Sequence, residues 1–297
     1  MLFGTLYPLA LEQLTGEKIT VGAPFFNLTC GVLLLTACFA APFGFSLAWK
    51  RGDLLGVVQR LAFAIIIGAV TAIVGAAWLS GAPLFAPLAM GLAIFVIIGT
   101  LIEVFTRAWR PGLTIGVALK RSLGLPLSFF GAALAHFGLG VTLLGLSGLG
   151  FGAETIATLH KGVPALVGPY SITLDSLGER VGPNYKETLA SVTVRSGDTV
   201  VAELEPARRQ FAAREMSTTQ AGLATLHFGQ VYVSIADPAP DGAVPARLYW
   251  KPLVTLIWLG AAAMAFGGAL SLTDRRLRFG VAMRAKAGAR PLAQPAE

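Results

Sequence analysis

The sequence predicts a polytopic α-helical membrane protein of about five transmembrane helices, with a small, mostly-β domain on its outer face inserted before the last helix. Three observations predict it. Apolar runs of about 20 residues recur, long enough to cross a hydrocarbon core of ~30 Å. Trp, Lys and Arg cluster at alternate ends of those runs. Between residues 151 and 250 the pattern switches to short period-two alternation bounded by Gly, Pro and Asp, which reads as antiparallel β structure.

Composition agrees. Hydrophobic residues make up 55% of the 297, and only 13% are charged, against about 25% in an average soluble protein. The net charge is +7 and the pI is near 9.7. The basic residues sit beside apolar runs, so the positive-inside rule accounts for them. No basic patch is interleaved with aromatics, which argues against nucleic-acid binding. The first residues are not a signal peptide: they lack a basic start, and Pro8, Glu12 and Gln13 interrupt the apolar run.

Residues 1–26 read as a periplasmic lead-in segment, the tail of an earlier element followed by a loop, with Gly16, Gly22 and Pro24 as punctuation. Transmembrane helices are expected at about 27–48, 61–79, 84–105 and 127–147. The first ends at Trp49-Lys50-Arg51, on the cytoplasmic side. The second leaves from Arg60 and ends near Trp78, and the third returns to Arg107, Trp109 and Arg110. Lys120 and Arg121 extend that cytoplasmic loop. Glu103, near the end of the third span, reads as an interfacial or loop-paired carboxylate in preference to a proton relay. The fourth span carries the chain outward again.

The β domain is expected over 151–250, with strands in Tyr170–Leu174, Leu189–Val194, Thr199–Leu204 and Gln230–Ile235. Turns are expected at Gly182-Pro183-Asn184, Ser196-Gly197-Asp198 and Asp237-Pro238. Residues 252–272 form the fifth span, with Trp250 and Trp258 toward its outer end as an aromatic belt. Gly260, Gly267 and Gly268 are expected to serve helix packing. A basic cytoplasmic tail, 273–297, opens with Asp274, Arg275, Arg276 and Arg278 and is expected to be disordered beyond them.

Chemistry-bearing residues are few. His136 sits near the middle of an apolar span, where an imidazole is costly unless something occupies its nitrogen. A hydrogen-bond acceptor, a proton path or a metal would each serve. Ala132, Ala133 and Gly140 lie about one turn away, on the same side of the helix. Such a patch of little bulk suits either a flat macrocycle or a neighbouring helix. From the residues alone, a packing or hydrogen-bonding histidine is the stronger reading. His160 and His227, in ATLHKG and TLHFGQ, read as surface or strand histidines. Cys30 and Cys38 have neither redox nor zinc spacing, and about 12 Å along one helix forbids a disulfide between them. No nucleotide loop, HExxH, CxxCH or GxSxG motif is present, so no catalytic constellation is visible.

An ordered set of stretches resembles the C-terminal half of the CcmF family, the large subunit of bacterial cytochrome c haem lyase (the CcmF/NrfE family). The set is Gly4-Thr5-Leu6-Tyr7-Pro8, then Val21 to Asn27, Ala135-His136, Gly182-Pro183-Asn184-Tyr185, Arg247 to Val254, Ile257 to Gly260, Gly267-Gly268 and Ser271 to Arg276. The resemblance implies a place in the bacterial inner membrane and a role in cytochrome c biogenesis, with haem transport from the periplasmic chaperone CcmE and attachment to apocytochrome c through thioethers. It implies a haem b ligated by two transmembrane histidines, and His136 matches the second. The partner histidine and the tryptophan-rich haem-handling segment belong to the N-terminal CcmF half. The expectation is therefore a split-gene product, a fragment or a truncated reading frame that shares haem b with that half and is not catalytic alone. The implied partners are holo-CcmE, the CcmH/CcmI module, apocytochrome c and membrane lipid. The alternative is a non-catalytic membrane scaffold recruiting a partner through its periplasmic domain. A transporter is the weaker third reading, because matched broken-helix repeats are missing.

Overall fold

A computed structural model describes residues 2–19, 22–47, 52–79, 81–109, 112–211 and 217–274. Among the described residues, five helices are long and apolar enough to cross a membrane by length and composition: Phe25–Ser46, Leu54–Trp78, Phe85–Ala108, Leu127–Phe151 and Thr255–Leu272. In chain order the helices are α1 (Leu2–Thr15), α2 (Ala23–Ser46), α3 (Leu54–Trp78), α4 (Phe85–Ala108), α5 (Ile115–Leu123), α6 (Leu127–Gly148) and α7 (Thr255–Leu272). Ten strands lie between α6 and α7.

Two elements differ from the sequence reading. The lead-in segment contains a helix, α1, which continues through Pro8. The loop after α4 contains the short helix α5. It is too short and too polar to register as a span, yet it exposes Ile115 and Val117 and has Lys120 and Arg121 in its last turn. Residues 48–51 and 275–297, including the basic clusters expected there, lie outside the described residues.

The chain folds as two compact units. The first contains α1, α2, α5 and the larger parts of α4, α6 and α7, with α3 as far as Val70. Its helices are held by close backbone approaches. A Cβ on Gly68 would stand 2.8 Å from the Gly91 carbonyl oxygen, and one on Gly99 3.2 Å from Pro42 Cβ. Phe39, Phe43 and Phe95 form a ring cluster beside these contacts. Along α6, Gly131 meets Gly267 of α7, and Gly138 meets Gly260. At each pair a Cβ would fall within about 2.6 Å of the opposing carbonyl oxygen. Gly268 contacts nothing within 4 Å, which corrects its expected packing role: one position round the helix from Gly267, it faces away from α6. Asp274, just past α7, accepts from the Ser128 backbone N–H at the start of α6. A carboxylate there satisfies a free helix N–H and complements the helix dipole. Cys38 is buried and Cys30 half-buried, both as free thiols, which fits small helix-packing residues.

The second unit holds the β-sandwich. One sheet has the order β1-β10-β9-β8, with β1 at Ala153–Leu159, β8 at Gly222–Leu226, β9 at Gly229–Ile235 and β10 at Val244–Lys251. The other has the order β2-β3-β4-β6-β7, with β5 also paired to β4. These strands are β2 (Pro164–Val167), β3 (Tyr170–Val181), β4 (Tyr185–Ser196), β5 (Thr199–Leu204), β6 (Ala207–Phe211) and β7 (Ser217–Gln220). The core is the inward set that period-two alternation selects: Ile172 and Leu174, Val192 and Val194, Val231 and Val233, Ala246 and Leu248. The first and last strands pair antiparallel, Ala153 opposite Trp250. The chain therefore enters and leaves the sandwich side by side, as an insertion between two adjacent helices requires.

Trp250 is half-buried against the sandwich core and not the interfacial anchor expected. Its ring packs against Tyr170, and a Cβ on Gly168 or Gly229 would collide with it. It lies one residue before the end of β10, so the alternation turns it inward. Trp258 remains exposed at 71%, compatible with a membrane interface.

Candidate functional site

His136 lies in α6 and is half-buried. Its Nδ1 is 2.8 Å from the Ala132 carbonyl oxygen. A carbonyl can only accept, so Nδ1 carries the hydrogen, and a neutral imidazole then offers its Nε2 lone pair. This is how a metal-ligating histidine is usually oriented. Phe45 of α2 stacks on the ring, with centroids 4.8 Å apart and 24° between planes. Phe45 in turn stacks on Phe129 at 5.5 Å, and the Arg107 guanidinium lies 4.7 Å over Phe129.

The low-bulk patch around His136 is mostly helix contact. A Cβ on Gly140 would stand 2.6 Å from Ile97 of α4, and Ala133 is buried. At about 100° per residue, Gly131 and Gly138 fall on the side of α6 opposite His136. The glycine seam thus packs α7 behind the histidine and leaves its ring facing α2. The donor set fits one axial haem ligand: one neutral nitrogen, fixed in tautomer, among aromatic side chains. Among the described residues, no group of three or more His, Cys, Asp or Glu could hold another metal.

The structure does not bring His160 or His227 to this site. Both are exposed residues of the sandwich unit. His227 is the first residue of the two-residue β8–β9 turn, with φ of 57°, a left-handed conformation that histidine enters more readily than most residues. The next residue, Phe228, offers its carbonyl oxygen to Thr255 N–H and Oγ1 at the start of α7. The turn therefore serves to dock α7.

Sequence reasoning misses two groups, Phe45 and Glu187, and reads a third, Glu103, as a paired carboxylate without its cross-span partner. Phe45 carries no signal, because an aromatic residue in an apolar span looks like any other. Glu103 is 3% exposed and pairs with Arg107 at 2.7 Å and with Arg60 of α3 at 3.9 Å. It is a buried carboxylate held between two spans, and along the chain its partners read only as flanking charges. In the sandwich, Glu187 of β4 is fully buried between Arg180 of β3 and Arg209 of β6. Arg209, first, and Arg180 hold its carboxyl below the usual glutamate range against the effect of burial. Arg209 also lies over the Tyr185 ring, beside the Gly182-Pro183-Asn184 turn.

Residues 150–252, which include the whole sandwich, match the family model described as the CcmF C-terminal beta-sandwich. Over the part it spans, this chain is similar to CcmF-type cytochrome c biogenesis proteins. It is 47% identical over 298 residues to the cytochrome c-type biogenesis protein CycK of Bradyrhizobium diazoefficiens, covering 100% of this chain and 45% of that protein. Against CycK of Rhizobium meliloti it is 46% identical over 287 residues, covering 96% and 42%. The solved structure of the cytochrome c heme lyase CcmF superposes with a TM-score of 0.63 at 20% identity, over 92% of this chain and 42% of that one. The chain spans less than half the length of these CcmF-type relatives.

Proposed function

We propose that this chain forms the membrane-and-sandwich part of a cytochrome c haem lyase. It binds a membrane haem b and supports covalent attachment of haem to apocytochrome c in the periplasm. The observation that carries this reading is the His136 geometry within a CcmF-type scaffold: Nδ1–H tied to Ala132, Nε2 left as donor, and the ring restrained by Phe45.

His136 would hold the haem iron through its Nε2, with the remaining part of the lyase as the second source of a ligand. The bound haem contributes one-electron redox chemistry. The chain's own residues act on the histidine: Ala132 fixes its tautomer, Phe45 limits its rotation, and the Gly131 and Gly138 contacts seat α6 against α7 behind it. The inner bacterial membrane is the assigned location. The basic residues Arg60, Arg107, Lys120 and Arg121 at one set of helix ends support a cytoplasmic assignment of those ends and, with it, a periplasmic sandwich. There it meets holo-CcmE, the CcmH/CcmI module and the apocytochrome.

The test is the reduced-minus-oxidised visible spectrum of the purified chain, with and without the co-expressed remaining part, for wild type and His136→Ala. A bis-histidine b-type signal lost in His136→Ala supports the reading. The same signal in His136→Ala overturns the ligand assignment. If no preparation gives a haem signal, the scaffold reading takes its place.

A further inference from the structure

A second polar site lies within the helical unit, at the ends of α2, α3 and α4. It is a cavity of about 670 Å³. Its polar lining is Ser46, Asp53, Arg60, Glu103, Arg107 and Arg121. Three guanidiniums against two carboxylates leave an excess of positive charge, and the carboxylates are already engaged. Glu103 pairs with Arg60 and Arg107. Asp53 accepts from the Gly56 N–H at the start of α3.

The donors are not all engaged. Ser46 is 8% exposed, and its hydroxyl oxygen is buried with no hydrogen-bond partner. A buried hydroxyl left unpaired is costly, so an unpartnered one lining a cavity points to an occupant. Among the described residues, the Arg121 side chain makes no hydrogen bond or ion pair, its carbonyl alone accepting from the Gly124 N–H, and a guanidinium has donors only. The cavity therefore lacks an acceptor with several oxygens.

Its depth identifies which acceptor. Trp109, two residues past Arg107, stacks on Phe105 at the end of α4. Tryptophan at the end of a span marks head-group level. Helix α5, which contributes Arg121, is short and exposes the apolar Ile115 and Val117 beside Lys120 and Arg121 of its last turn, a composition suited to the interface. Basic pockets between helix ends at this level hold anionic head groups. We propose that this cavity binds the phosphate of an anionic phospholipid, with Arg121 and the Ser46 hydroxyl as donors and Arg60 and Arg107 held in place by Glu103. The proposal is independent of haem binding.

The experiment uses the full chain, stripped of lipid in detergent and titrated with phosphatidylglycerol, phosphatidylcholine or inorganic phosphate. Bound lipid is read by native mass spectrometry and folding by circular dichroism. Wild type should retain phosphatidylglycerol in preference to phosphatidylcholine. Arg121→Gln should weaken it about fivefold, and Lys161→Gln, the same charge change on the sandwich surface, should leave it unaltered. If Arg121→Gln fails to fold, Ser46→Ala decides, again by weaker retention. Equal retention by the folded variants and wild type overturns the site. Equal retention of phosphatidylcholine, or thermal stabilisation by inorganic phosphate that matches the lipid's, overturns the anionic-lipid assignment.

Discussion

The imidazole of His136 and the phenyl ring of Phe45 stack 4.8 Å apart, centroid to centroid, across α6 and α2. This contact gives the histidine a packing role as well as a free Nε2, and the two roles can be separated. Substituting His136→Phe keeps an aromatic ring on Phe45 and removes the nitrogen. Thermal stability in detergent should stay within about 1.5 kcal/mol of wild type, as for a volume-conserving exchange, while the b-type signal disappears. A retained signal would sink the ligand role, and a folding collapse with Phe in place would sink the packing account.

Gly138 and Gly268 make opposite predictions. A Cβ on Gly138 meets backbone, 2.6 Å from the Gly260 oxygen and 2.8 Å from the Met264 nitrogen, and backbone cannot step aside. Gly138→Ala should force α6 and α7 apart at a cost of about 1–3 kcal/mol, read as a lower Tm of the full chain. Gly268→Ala, with open space around it, should be neutral to about 1 kcal/mol stabilising through helix propensity.

The buried Glu187 depends on its two arginines. Arg209→Ala should destabilise the sandwich by about 2–3 kcal/mol, because it leaves a buried carboxylate short of a partner. The loss should exceed that for Arg180→Ala, since Arg180 is the more exposed of the pair. Chemical unfolding followed by near-ultraviolet circular dichroism checks both.

The same carboxylate sets a pH dependence. Its pKa is lowered in the folded state, so its stabilising contribution is fully present above the unfolded glutamate value of about 4.3 and is lost as pH falls through the lower folded value. Wild type should lose sandwich stability in that acid range, and Glu187→Gln should flatten the profile there. Parallel profiles for the two proteins would count against the linkage.

His227 should tolerate glycine. Its φ of 57° costs an L-residue about 1–2 kcal/mol, partly offset because glycine has more freedom to lose on folding. His227→Gly should leave stability unchanged or raise it by up to about 1 kcal/mol, read as an equal or higher Tm, and leave any haem spectrum unaltered. Loss of that spectrum would restore His227 as a ligand.

Much of the fold is legible along the chain because its signals are local. Span length needs only about 20 apolar residues in a row, and the sandwich core in β3, β4, β9 and β10 needs only period-two alternation. The end of each element is less so. Trp250 looks like a belt residue beside an apolar run, and only its pairing opposite Ala153 shows that it points inward. Helix α5 is invisible to a span-length criterion because it is nine residues long.

The sequence by itself determined five apolar helices, a β domain between the last two, and His136 as the one histidine in hydrocarbon. Each follows from hydrophobic length, periodicity or residue type. Only the tertiary structure decided what those residues touch. It put Phe45 on the imidazole, gave Gly131 and Gly138 to α7 and Gly140 to α4, placed Arg60 beside Glu103, and brought Asp274 to the Ser128 N–H from 146 positions away. The physical reason is that a pattern along the chain fixes which side of an element is apolar. Which element covers that side depends on close packing among segments remote in sequence.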